Sequence, residues 1–183
     1  FSVENPFTTS EAYELTSAIE DGPYQPDTHY KFVNTGTIAK FYPLWGIKET
    51  TYLKRKYLRP IISKRRLKRL MPKRAVQLSR PKIIIKGIRY FDSFFDSTGT
   101  YVAGKSTIIV FDQDQPHEHL LWLTALLNSK MLFFYLRASY STLGIDGGIN
   151  FENKPKLEEC GIKNFAVGKS FFMIKKEGRQ EKK

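Results

Sequence analysis

The densest run of chemically capable side chains is Lys64-Arg65-Arg66-Leu67-Lys68-Arg69-Leu70-Met71-Pro72-Lys73-Arg74. It holds no nucleophile and no general base; it holds cations. Ammonium groups neutralise phosphates as compact point charges, whereas the planar guanidinium fork matches the two major-groove acceptors of guanine. Lys54, Arg55 and Arg59 extend the run upstream. From Lys48 to Arg89 there are 16 basic residues and one acid, Glu49, a net of +15 against +12 for the whole chain. Leu67, Leu70 and Met71 recur at helical spacing, which turns the charges toward the opposite face. A solvated helix face normally mixes both signs. One acid among 17 charges favours a polyanion, with a nucleic acid ahead of a protein partner or a membrane surface.

Other constellations are weaker. His117-Glu118-His119, with Asp112 and Asp114 nearby, invites a metal reading. On a helix, however, positions i and i+2 diverge, and Pro116 marks a helix start, so a first-turn role is expected. Glu152-Asn153-Lys154, with Asp27 as a distant partner, has the acid-x-lysine form of many nucleases, but this spacing arises by chance in a chain with 20 lysines. No phosphate-cradling glycine loop or strand-to-helix serine elbow occurs. The expectation is therefore no catalytic residue, no metal site and no cofactor in this chain. A lone cysteine, Cys160, excludes a disulfide framework and a cysteine-built zinc site, and a reducing, cytoplasmic setting is expected.

The elements that must position the basic run follow from pattern. The chain has 183 residues, 41% of them hydrophobic and 14% aromatic, enough to build a core of its own. Thr8-Thr9-Ser10-Glu11 is a capping box opening a helix through Ile19 that Gly22-Pro23 would stop. His29–Val33 and Thr37–Tyr42 read as a hairpin turned by Asn34-Thr35-Gly36, followed by a loop with Trp45 at its tip. A basic helical region interrupted by Pro60 and Pro72 comes next. Ile83-Ile84-Ile85, Tyr101-Val102 and Thr107–Phe111 read as strands, with a turn at Asp96-Ser97-Thr98-Gly99. Leu120–Leu136, opened by Asp114 and Pro116, is too short and too polar to cross a bilayer. It is expected to be a core helix, broken at Asn128-Ser129, with Leu123, Leu126 and Leu127 on the Ile83–Ile85 strand. Gly144–Gly148 is a glycine-bearing loop, Phe171–Ile174 a short strand and Lys175–Lys183 a charged tail. Clustered rather than alternating elements give an α+β fold with a mixed, mostly antiparallel sheet, a buried apolar helix and a basic helical insert.

Five segments carry a resemblance. They are Tyr30–Tyr42, Arg80-Pro81-Lys82-Ile83-Ile84-Ile85, Gly99-Thr100-Tyr101-Val102, Leu123-Thr124-Ala125-Leu126-Leu127-Asn128-Ser129-Lys130 and the Gly144–Gly148 loop. Their order resembles the TaqI-like C-terminal specificity domain of adenine-specific DNA methyltransferases in restriction-modification systems. The resemblance implies a target-recognition module that holds duplex DNA while a separate N-terminal domain, carrying S-adenosylmethionine, flips and methylates the adenine. Asn5-Pro6-Phe7 lacks the second proline of the loop that grips such an adenine, and the chain is expected to be a piece of a longer protein. On this reading residues 1–28 are a helical linker from the catalytic domain, 29–175 the recognition domain and 176–183 a tail. The expected DNA contacts are Lys54, Arg55, Arg59, Lys64, Arg65, Arg66, Lys68, Arg69, Lys73 and Arg74, with Tyr42 and Trp45 beside them; for Trp45 a core or loop-lid role is favoured over a DNA contact. The Lys48–Arg80 insert is longer and more basic than the resemblance implies. A basic RNA-binding module or a structural adaptor between subunits is the alternative, though neither an aromatic sheet face nor a Gly-x-x-Gly loop is evident.

Overall fold

Ile83, Ile84 and Ile85 point alternately to two faces of one strand, and that alternation divides the interior of the protein. The computed structural model describes residues 1–87, 90–113 and 117–140. They fall into two compact units, Phe1–Ser129 and a second from Lys130 onward. In chain order the first unit contains β1 (Ser2–Glu4), α1 (Thr9–Thr16), β2 (Ile19–Asp21), β3 (His29–Val33), a 3-10 turn (Thr35–Thr37), β4 (Thr50–Tyr52), β5 (Arg55–Tyr57) and β6 (Pro60–Ser63). It continues with α2 (Lys64–Leu70), α3 (Pro72–Leu78), β7 (Lys82–Gly87), β8 (Tyr90–Asp96), β9 (Tyr101–Ala103), β10 (Ile108–Phe111) and α4 (His117–Leu127). The second unit contributes α5 (Lys130–Tyr140) to the described residues.

The fold is α+β with mostly antiparallel sheets. One sheet has the order β1-β10-β7-β8, the other β2-β6-β3-β9, and β4 with β5 forms a separate ribbon. Only the β3–β9 pair is parallel among the described strands. Ile84, Phe94, Ile109 and Phe111 face the main core, where they join Leu15 of α1, Leu67 of α2, Leu78 of α3 and Phe32, Ile62 and Val102 of the second sheet. Ile83, Ile85 and Val110 face the other way, onto Leu120 of α4.

Lys82 is in phase with Ile84 and so enters the main core, fully buried. Its Nζ donates to Asp96 Oδ2 at 2.6 Å and to the Leu78 carbonyl at 2.7 Å. Asp96 also accepts the backbone N–H of Thr100 at 2.9 Å and of Tyr101 at 3.0 Å. Burial pulls the pKa of Lys82 below that of an ordinary lysine, while Asp96 pulls it back up. The following turn needs Gly99, which has φ +65° and whose added Cβ would sit 1.9 Å from the Ser79 carbonyl.

Several expectations change. Residues 1–28 are woven into the fold rather than forming a linker: β1 pairs with β10, β2 pairs with β6, and Phe7, Ala12 and Leu15 are core. The expected α1 start stands, with Thr8 Oγ1 accepting the Glu11 N–H and Glu11 accepting the Thr8 N–H at 2.7 Å. The helix ends at Thr16, however, because Ile19–Asp21 is taken as an edge strand by β6. The His29–Tyr42 hairpin does not form. Asn34 and Thr37 close a 3-10 turn, and β3 pairs with the distant β6 and β9. Thr50–Ser63 holds three short strands rather than a helix, with Pro60 opening β6; Pro72, at the first position of α3, does split the basic helix.

The expected apolar core helix is two helices. In α4 the inward line is Leu120 and Thr124, continued by Asn128 just past the helix end, at i, i+4 and i+8, while Leu123 and Leu127 flank it. Leu126 lies outside that cluster, and Leu121 and Trp122 are exposed. No helix among the described residues is long and apolar enough to cross a membrane. The Gly144–Gly148 loop, Glu152-Asn153-Lys154, Cys160, the Phe171–Ile174 strand and the tail lie outside the described residues.

Two stability outcomes follow, both read by thermal melting. Leu120→Ala should cost about 2–5 kcal/mol as a cavity opens beneath α4, and Leu126→Ala clearly less. Lys82→Met should cost about 3–5 kcal/mol, because it strands the Asp96 carboxylate in the core. Equal melting temperatures for Leu120→Ala and the parent would contradict the packing of α4 described here.

Candidate nucleic-acid interface

The basic segment builds two different elements. The first is the β4–β5 ribbon, in which Thr50 pairs with Tyr57 and Tyr52 with Arg55. Buried Thr50, Tyr52 and Tyr57 hold one side of the ribbon, and the Tyr52 hydroxyl donates to the Ala12 carbonyl at 3.1 Å. Burial raises the Tyr52 phenol to about 12. The two residues left to make the turn, Leu53 and Lys54, have φ of 43° and 70°. Both positions suit Asn-Gly, and left-handed backbone costs other residues about 1–2 kcal/mol each. Lys54, Arg55 and Lys56 project from this tip, exposed.

The second element is the α2–α3 pair. Ser63 caps α2 through the Arg66 N–H, and Met71 ends α2 and precedes Pro72 of α3. Lys64, Arg65 and Arg66 occupy the first turn of α2, at the positive end of the helix dipole, where cations are disfavoured. Leu67 is buried; Arg65 and Arg69 sit about 160° from it around the helix, facing outward together.

Burial and pairing sort the ten expected cations into two groups. Lys64, Arg66 and Arg74 are half-buried and committed to the protein. Lys64 donates to the Pro26 carbonyl at 2.7 Å, and Arg66 pairs with Glu20 at 2.9 Å. Arg74 grips Glu11 through Nε and Nη2 and donates to Gln77 at 2.9 Å; Gln77 reaches on to Glu4. Lys54, Arg55, Arg59, Arg65, Lys68, Arg69 and Lys73 are exposed and have no side-chain partner among the described residues.

The two expected aromatics separate as well. Tyr42 is exposed. Trp45 is turned inward: its Nε1 donates to the Pro60 carbonyl at 2.7 Å, and its ring meets Tyr24 edge-on. Trp45, Tyr24 and Tyr101 surround the Lys31 ammonium at 5.0, 4.5 and 5.4 Å, a cation–π cage filled from within.

Comparison with family models, with curated proteins and with solved structures finds no match to this chain.

Three features were not singled out from sequence. Lys56 belongs to the ribbon tip and sits inside the charge run already counted. Phe41, beside Tyr42, is 59% exposed, and no charge or spacing signal marks it. A cleft of about 700 Å³ lies between the 3-10 turn and the ends of β7 and β10, lined by Lys48, Lys86, Lys105, Thr35 and Thr107 and, among the described residues, by no carboxylate. Lys86 pairs with Asp92 at 3.2 Å and Lys105 donates to Thr9 at 2.8 Å. At the start of α4, His119 meets Asp112 at 3.0 Å, and the described residues contain no metal-binding group. Phe7 of Asn5-Pro6-Phe7 is core.

The Arg74 guanidinium holds the Glu11 carboxyl down at about 2, against 4.5 for an ordinary glutamate. A depressed folded-state pKa gives stability that is present above pH 4.5 and lost as pH falls toward 2. In melts from pH 7 to pH 2, Glu11→Gln should therefore start lower than the parent and converge on it across that interval. Parallel curves would contradict an Arg74-held carboxylate.

Proposed function

We propose that this chain is the DNA target-recognition module of a restriction-modification N6-adenine methyltransferase, holding duplex DNA for a separate catalytic domain. The observation that carries the reading is the set of seven exposed cations, without a side-chain partner among the described residues, on the β4–β5 ribbon, the link that follows it, α2 and α3. Two of them work against folding: Lys54 sits in left-handed backbone and Arg65 at the wrong end of a helix dipole. A two-stranded ribbon and a helix are also the two elements that the major groove admits. Lys68 and Lys73 serve as phosphate anchors, while Arg55, Arg65 and Arg69 offer forks for guanine. Three of the resembling segments contribute framework instead: Lys82, Gly99 and Asn128 are all spent on internal contacts. Methyl transfer, with its S-adenosylmethionine, belongs to the catalytic partner.

The test is a binding titration of the chain on duplexes carrying the parent enzyme's methylated sequence and a scrambled one. With about five phosphate contacts, log K should fall against log salt with a slope near −4.5. Lys68→Ala and Lys73→Ala should each flatten the slope by about one unit on both duplexes. Arg65→Ala or Arg69→Ala should cost about 1–3 kcal/mol on the cognate duplex alone, and Arg66→Ala much less. A flat salt response of the parent chain would sink the proposal.

A further inference from the structure

Phe41 stands where glycine would be easiest. Ile38 and Pro43 bridge, and the Ala39 N–H donates to the Tyr42 carbonyl at 3.1 Å, so Lys40 and Phe41 are the two central residues of a tight turn. Phe41 has φ +71°, the left-handed value that the second central position normally gives to glycine. An aromatic residue there costs on the order of 1–2 kcal/mol. The ring belongs to neither core cluster, and Phe41 is 59% exposed and Tyr42 beside it 55%.

The strained tip is also held rigidly. The Phe41 N–H donates to the Ser93 carbonyl at 2.8 Å. Ser93 is in turn clamped by Asn128, whose Oδ1 accepts the Ser93 N–H and whose Nδ2 donates to both the Ser93 carbonyl and its hydroxyl. On the other side of the turn Lys40 Nζ reaches the Asn128 carbonyl at 3.4 Å. Backbone strain that the surroundings hold in place is characteristic of functional positions. Two adjacent rings on a fixed tip, with a cation at their base, match the chemistry of a nucleobase flanked by its phosphates.

We infer that Phe41, with Tyr42, is a wedge that stacks on a base unstacked from the DNA. The inference rests on the DNA-binding reading above and deepens it. Proteins that insert apolar side chains at base steps unstack the duplex there, and a fixed ring meets the base without being ordered at the moment of binding. The aliphatic surface of a protein groove would gain as much from leucine; two rings beside a lysine favour the base.

The experiment uses the full chain and a duplex with one bulged 2-aminopurine, beside the fully paired duplex. The parent chain should prefer the bulged duplex and quench its fluorescence. Phe41→Gly should melt at the same temperature or higher, yet lose about tenfold or more in affinity for the bulged duplex, the equivalent of stacking one base. It should also lose the quenching, and Phe41→Trp should keep both. A lowered melting temperature in Phe41→Gly would show the ring packed within the protein and overturn the wedge. Undiminished affinity and quenching would overturn it as well, leaving DNA binding intact. Failure of the parent chain to bind either duplex would overturn the DNA-binding reading itself, and the wedge with it.

Discussion

The buried pair of Lys82 and Asp96 is the constraint on which the rest of the first unit depends. An ammonium and a carboxylate removed from water are tolerable only when each finds further partners. Lys82 finds the end of α3, and Asp96 finds two N–H groups of the turn that launches β9. One contact therefore joins β7 to β8, sets where α3 stops, and sends β9 from the first sheet into the second. An apolar pair in its place would leave the Thr100 and Tyr101 N–H groups without acceptors. The interaction is thus a matter of connection more than of net strength.

Local signals in the sequence were readable because their physics is local. The capping box at Thr8, the split at Pro72, the turn before Gly99 and the isoleucine strand all depend on neighbours within a few residues. What failed depends on partners far along the chain. Asn34-Thr35-Gly36 has the composition of a hairpin turn, but β3 finds better pairing in β6 and β9 than in the segment that follows it. Lys and Arg between positions 54 and 59 suit a helix by propensity, yet buried Tyr52 and Tyr57 keep that stretch as a ribbon. β1, with exposed Val3, carries no periodic signal at all and exists because β10 offers it an edge.

The candidate interface was half legible for the same reason. Charge density showed where cations gather, but Arg65 and Arg66 are adjacent and look alike. Only the fold brings Glu20, 46 positions away, to Arg66 and leaves Arg65 without a side-chain partner among the described residues. Trp45 was the conspicuous aromatic and is spent on Lys31 and Pro60, while Phe41 stands out by its backbone angle, which no sequence pattern displays.

The single parallel pairing among the described strands, β3 with β9, has a kinetic consequence. It matches Lys31 to Tyr101, so the second sheet closes only after the intervening chain, with β4 to β8 and both basic helices, has been gathered in. Contacts of such long sequence separation incur their loop entropy before they return any energy, and they slow folding. The neighbouring β7–β8 pair is local and can form first, and with it the carboxylate that receives β9. Until that late closure the β3 edge is open, and the nascent chain is most exposed to mispairing with another copy of itself.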